Sequence, residues 1–198
     1  MPSAECRASL SARQGRPAAA DVLDDRQLLR AFLLTLAALG ALAEFLDDAG
    51  GVFRGVTLVV DDGRNEDEPR QPDRSYSMGV DLARVEDFTV ITVLDQDGRQ
   101  VYFERFNQIS WERQKQSIQV AYQRYQPASF FLDSTGAGDP IFEDLRRMGM
   151  RVTGYHFTNA SKTSLIDNLA MMIETGKVRL MDVPVQTDEL RAYEYHLT

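Results

Sequence analysis

The chain has 198 residues, 43% of them hydrophobic and 26% charged, with a formal net charge of −8. This is a globular composition, and the acidic balance argues against a protein that grips nucleic acid by bulk positive charge, although divalent cations in an acidic site reverse the local sign. Cys6 is the only cysteine, which excludes an internal disulfide and a cysteine-built zinc site. The histidines, His156 and His196, lie far apart and show no ligand spacing.

Residues 1–26 are rich in Ala, Arg, Ser and Asp without a period and read as irregular. Residues 27–48 read as a helix stopped by Gly50-Gly51. Its apolar stretch, 28–45, is short for a bilayer span, and Asp21, Asp24 and Asp25 stand before it where a targeting segment carries positive charge. It therefore reads as a packed or partner-facing helix. Residues 57–75 include a polar, proline-containing run that reads as a linker or exposed loop.

The ordered domain is expected from Tyr76. Strands are expected at 76–82, at 88–94 (apolar throughout, hence buried on both faces) and at 100–106, with Asp95-Gln96-Asp97-Gly98 as the hairpin turn between the last two. A helix capped by Ser110 follows, with Trp111, Ile118, Tyr122 and Tyr125 on one face. After a strand at 129–132, Asp139 and Pro140 are expected as cap and first residue of a helix with Ile141, Leu145 and Met148 inward, ended by Gly149. A strand at 152–155 leads to a helix capped by Ser161, with Leu165, Leu169, Met172 and Ile173 inward. A short strand at 178–181 and a helix at 187–195 complete the pattern. The order β-β-β-α-β-α-β-α is an α/β plan with a mixed sheet, and it is the order of the ribonuclease H-like fold.

The residue types at the strand ends point to chemistry. Asp81 ends an apolar strand, Asp87 stands at the mouth of the next, and Asp133 ends the strand expected beside the first. A carboxylate at such a position is costly unless it reaches water or a cation. Carboxylates converging from adjacent strands suit hard divalent cations and phosphodiester cleavage. The bland alternatives are turn-capping acids, and Glu86 reads as solvated. The loop 134–138 lacks the Gly-Lys-Ser/Thr ending of a phosphate-binding P-loop, so nucleotide hydrolysis there is rejected. Lys162, at the start of a helix behind Thr158-Asn159-Ala160-Ser161, and Arg84, near the acids, are candidate DNA-backbone contacts. His156 reads as structural.

Glu44-Phe45-Leu46-Asp47-Asp48 with Gly51-Val52-Phe53-Arg54 resembles the tail of a terminase ATPase domain. The segments 76–81, 87–91, 132–140 and 157–162 resemble its nuclease domain. The family resembled is the large subunit of the DNA-packaging terminase of tailed bacteriophages. The resemblance implies residues 1–56 as the end of an ATPase domain, 57–75 as linker, and 76–198 as a nuclease domain incomplete at its C-terminus, where the family's third metal-binding acid would follow. It implies an endodeoxyribonuclease that cuts concatemeric viral DNA in the cytoplasm of a bacterial host. Asp81 and Asp133 would be catalytic metal ligands, Asp87 auxiliary, for two Mg²⁺ or Mn²⁺ ions. The implied partners are double-stranded DNA, the small terminase subunit and the portal, with no membrane. The alternative is a non-catalytic, truncated prophage domain of the same fold that binds DNA or a packaging partner.

Overall fold

The structure, a computed structural model, describes residues 51–82, 88–134 and 138–193. The helix expected at 27–48, the residues Arg84, Glu86 and Asp87, and the end of the last expected helix lie outside the described residues.

A helical turn α1 (Val56–Val59) and a short strand β1 (Val60–Asp61) come first. Then follow β2 (Tyr76–Asp81), β3 (Thr89–Asp95) and β4 (Gln100–Phe106), helix α2 (Trp111–Tyr125) and strand β5 (Ser129–Asp133). The chain continues through α3 (Gly138–Arg147), β6 (Val152–Tyr155), α4 (Asn159–Glu174), β7 (Leu180–Met181) and α5 (Pro184–Ala192). The main sheet has five strands in the order β4-β3-β2-β5-β6. The first three form an antiparallel meander, and β5 and β6 run parallel to β2. This is the ribonuclease H-like plan expected from the element order.

Turn chemistry sets the meander. Asp95 accepts the backbone N–H groups of Asp97 and Arg99, both at 3.0 Å, and Gly98 takes φ +81°. Only glycine fits there, because a side chain would meet the carbonyl oxygen of Lys177 as well as the left-handed backbone. Every residue of β3 is buried, as its run of β-branched and apolar residues predicts, and its polar members Thr89, Thr92 and Asp95 are buried with the rest.

The two faces of the sheet carry separate cores. On one, Met78, Val80, Ile91, Val93, Phe130 and Leu132 pack with Ile118, Ala121 and Tyr125 of α2 and Ile141 and Leu145 of α3. On the other, Leu94 packs with Ile166, Leu169 and Ile173 of α4, Val56 and Val59 of α1, and Leu190 of α5. Here β1 pairs in parallel with β7, and Gln100 locks that pair to the sheet. Its amide donates to Gln186 Oε1 at 2.7 Å and accepts from the N–H of Met181 at 3.0 Å.

Several boundaries differ from expectation. The cap of α4 is Thr158, not Ser161: Thr158 Oγ1 accepts the N–H of Ser161 at 3.1 Å, and Ser161 Oγ accepts the N–H of Thr158 at 2.9 Å. This capping box satisfies two orphan donors, whereas a Ser161 cap would leave the preceding turn unmade. Helix α3 starts at Gly138, so Asp139 lies inside it rather than capping it. Met148 is 42% exposed; Gly149, at φ +85°, turns the chain so that Met150 fills the core place instead. Helix α5 begins at Pro184, earlier than expected, with the proline supplying a first residue that has no N–H in need of an acceptor.

Residues 57–75, read from the sequence as a linker or exposed loop, run along the domain, mostly exposed from Asp62 onward. Tyr125 donates from its hydroxyl to the carbonyls of Glu68 at 2.6 Å and Val101 at 3.1 Å. Arg64 bridges Asp61 at 2.8 Å and Glu68 at 3.1 Å while donating to the Gln100 carbonyl at 2.6 Å. The polar composition of this stretch reflects ion pairing to the domain, which composition alone cannot distinguish from solvation.

Candidate metal centre

The carboxyl ends of β2 and β5 bring Asp81 and Asp133 together. These strands are parallel neighbours, last paired at Val80 with Leu132, and the two aspartates are the next residue on each. Val80 and Leu132 point into the α2/α3 core, so by strand alternation the aspartates face the α4 side. Paired positions on adjacent strands stand about 4.8 Å apart. Both side chains are half-buried. Two oxygen donors held this way, on backbone fixed by the sheet, fit a hard divalent cation that retains other ligands from water or phosphate. Among the described residues, no group of three His, Cys, Asp or Glu side chains gathers.

The register extends this pair into a row across all five strands. Asp81 stands opposite Val90 of β3, Val90 opposite Arg105 of β4, and Asp133 opposite Tyr155 of β6. From one edge to the other the row reads Arg105, Val90, Asp81, Asp133, Tyr155. Each side chain faces the α4/α5 side.

At the β4 edge, Arg105 Nη2 donates to Glu189 Oε1 of α5 at 2.7 Å, and its guanidinium carbon stacks 3.4 Å over the ring of Phe88. Arg105 Nε is buried and has no hydrogen-bond partner among the described residues. Burial pushes the Glu189 carboxyl above the usual glutamate range, with Arg105 opposing the shift.

At the β6 edge, the Tyr155 and Phe157 rings meet nearly edge-on with centroids 5.1 Å apart. Beyond them α4 begins, and Lys162 stands exposed in its first turn. The Lys162 backbone N–H already donates to the Thr158 carbonyl at 2.9 Å, so an anion there would meet the side chain. His156 is exposed just past the strand.

Ser134 follows Asp133 and turns to the opposite face. It is 2% exposed, and its hydroxyl has no hydrogen-bond partner among the described residues. Its backbone N–H donates to the Tyr155 carbonyl at 3.1 Å. Gly154 leaves room for it: a Cβ there would lie 2.9 Å from Ser134 Oγ.

Of the residues singled out from sequence, the structure thus brings Asp81 and Asp133 together and sets Lys162 on the helix after β6. Asp87 and Arg84 lie outside the described residues. Tyr155, Arg105 and Glu189 were not anticipated. Their place depends on strand register and on where α5 docks, and neither leaves a local sequence signal.

A five-stranded mixed sheet in this order, with the parallel strands following an antiparallel meander, defines a ribonuclease H-like domain. Residues 78–196 match the family described as the terminase RNaseH-like domain, and the chain belongs to that family. It is 33% identical over 171 residues to the terminase large subunit of Thermus virus P23-45, covering 79% of this chain and 34% of that one. The same figures hold for the large subunit of Thermus phage G20c. The chain therefore spans about a third of the length of the curated relatives it matches. Among solved structures, it superposes on the G20c large terminase nuclease with bound magnesium at a TM-score of 0.68 and 28% identity, covering 76% of this chain and 84% of that one. The zinc-bound form of that nuclease gives 0.65 at 29% identity, covering 73% and 88%. The large terminase nuclease domain of Thermus phage P74-26 gives 0.66 at 28% identity, covering 75% and 81%.

Proposed function

We propose that this chain carries the metal-dependent endodeoxyribonuclease activity of a phage DNA-packaging terminase. The carrying observation is the juxtaposition of Asp81 and Asp133 at adjacent parallel strand ends, on one face of the sheet. Asp81 and Asp133 hold the cations, Asp87 assists, and the ions are two Mg²⁺ or Mn²⁺. The magnesium-, zinc- and cobalt-bound structures of the G20c nuclease support a divalent site. When bound, the ions supply Lewis-acid stabilisation of phosphate charge and a water of lowered pKa.

The protein's own part is positional. The sheet fixes the two carboxylates before substrate arrives, so no loop ordering is needed to assemble them. Lys162 and Arg84 contact the DNA backbone. Residues 76–198 form the nuclease domain, residues 57–75 the segment leading into it, and residues 1–56 the end of an ATPase domain before it. The substrate is double-stranded viral concatemer in the cytoplasm of the bacterial host, and the small terminase subunit and portal are the assembly partners.

The test is plasmid cleavage by the purified chain in Mn²⁺ or Mg²⁺, beside Asp81→Asn and Asp133→Asn. Cutting by the parent and loss of cutting in both variants, with unchanged thermal unfolding, supports the reading. A folded parent that binds DNA without cutting favours the alternative, a non-catalytic domain of the same fold. Cutting that survives both substitutions removes these residues from the mechanism.

A further inference from the structure

We propose that Tyr155 and Phe157 form an aromatic platform that holds the DNA strand leaving the Asp133 side of the metal site. This inference rests on the nuclease reading and adds to it a substrate-holding surface at the edge of the sheet.

Register supplies the first reason. Tyr155 is the direct cross-strand partner of Asp133, so its side chain rises from the same face one strand spacing away, about 4.8 Å. A phosphate held at Asp133 has its neighbouring nucleotide within reach of that ring. The second reason is access. β6 is the edge strand of the sheet, Thr153 and His156 beside Tyr155 are exposed, and Tyr155 and Phe157 are only half-buried. A strand of DNA can pass over this edge without displacing any core residue.

The third reason is geometry. The edge-on contact of the rings, at 65° between planes, restricts the Tyr155 ring on one side and leaves an aromatic surface for a deoxyribose. Its hydroxyl makes no hydrogen bond among the described residues, so it is free to donate to a phosphate oxygen. The fourth reason is charge. A chain with a net charge of −8 gains little from bulk attraction to DNA. Packing of a ring against a deoxyribose and neutral hydrogen-bond donation need no positive field and do not depend on base identity, which suits a packaging nuclease. Exposed Lys162, in the turn beyond, continues the same path.

The experiment measures DNA binding by fluorescence anisotropy in Ca²⁺ for Tyr155→Ala, Tyr155→Leu and Tyr155→Phe. Tyr155→Leu keeps apolar bulk and guards against a folding defect in Tyr155→Ala. Steady-state cleavage and Mn²⁺ titration calorimetry accompany it on the otherwise native chain. The expected result is a loss of DNA affinity of about tenfold in Tyr155→Ala and Tyr155→Leu, with Tyr155→Phe retaining most of it. KM should rise by a similar factor while kcat and Mn²⁺ affinity stay within about twofold of the parent. Unchanged DNA affinity and KM in Tyr155→Leu overturns the inference alone. Weakened Mn²⁺ binding in the same variants overturns it as well, because Tyr155 would then merely support Asp133. A parent that neither binds nor cuts DNA overturns this inference together with the nuclease reading.

Discussion

Ser134 and Gly154 offer the sharpest test of how the end of β5 is held. Ser134 is 2% exposed, its hydroxyl has no hydrogen-bond partner among the described residues, and a Cβ on Gly154 would lie 2.9 Å from Ser134 Oγ, 3.2 Å from Ser134 Cβ and 3.3 Å from Phe142 Cε2. Removing a buried, unsatisfied hydroxyl relieves a desolvation cost of about 1–3 kcal/mol, so Ser134→Ala should stabilise the fold by about 1 kcal/mol. Gly154→Ala should do the reverse. Its methyl has neither space nor a flexible neighbour, and overpacking of this kind costs about 1–3 kcal/mol. In a domain of this size, each kcal/mol moves Tm by roughly 2–4 °C. The double variant should lose less than the sum of the two, because Ser134→Ala removes the nearest of the three clashing atoms. A coupling energy of about 0.5–1 kcal/mol is expected. Thermal and urea unfolding of the four proteins without metal provides the assay. Strict additivity, or a Ser134→Ala variant destabilised by about 1 kcal/mol, refutes the reasoning by showing that the hydroxyl has a partner in the folded protein. Because Ser134 is bonded to Asp133, Gly154→Ala should also weaken Mn²⁺ binding, whereas Ser134→Ala should leave it unchanged.

Two other perturbations reach different parts of the fold. Burial holds the Glu189 carboxyl above the usual range despite Arg105, so the native state keeps a proton that the unfolded chain has lost. Stability attributable to this group therefore falls as pH rises from the unfolded value, about 4.3, through the native pKa; Glu189→Gln should flatten that part of a urea-melt pH series, and an unchanged slope would count against burial as the cause. Gly98→Ala faces both a left-handed φ of +81° and the Lys177 carbonyl, whereas Gly63→Ala, at φ +72°, has nothing within 4 Å. The first should cost about 3 kcal/mol and the second about 1 kcal/mol, and equal losses in thermal unfolding would show that the hairpin yields to the clash.

The strands were legible because their chemistry is local. The run from Thr89 to Leu94 is β-branched or apolar at consecutive positions, and every residue of β3 is buried. The Asp95–Gly98 turn needs only its own residues to close. Helix starts were less legible, because Thr158, Ser161 and Asp139 are all plausible caps and the choice depends on which N–H groups remain unpaired once the preceding strand has docked. In the loop 61–75 the polar residues look solvated in the sequence, and their pairings, Glu68 with Arg99 at 2.8 Å and Arg74 with Asp95, depend on residues that only the fold places beside them. At the site, Asp81 and Asp133 declare themselves as acids after apolar strands. Tyr155 and Arg105 do not, since a tyrosine at a strand end and an arginine in a strand gain meaning only from register.

Register also bears on how an acidic chain can handle DNA. Near the amino end of β2, arginines are already engaged with carboxylates. Arg64 and Arg179 meet Asp61 at 2.8 and 3.0 Å, Arg99 meets Glu68 at 2.8 Å, and Arg74 bridges Asp95 and Asp97. A phosphate approaching there would compete with intramolecular partners already in place, and the displaced carboxylates would repel it. Arg105 in the site row is similarly committed, to Glu189 and the Phe88 ring. The carboxyl ends of β2 and β5 offer a different solution. Cations held by Asp81 and Asp133 would supply the positive charge at the scissile phosphate itself, where it serves the transition state and not merely binding. Affinity away from that point then has to come from contacts that need little positive field, and the exposed edge of β6 is where the row of side chains provides them. On this view DNA binding should depend on divalent metal more steeply than on monovalent salt, the opposite of a protein that binds through a basic surface.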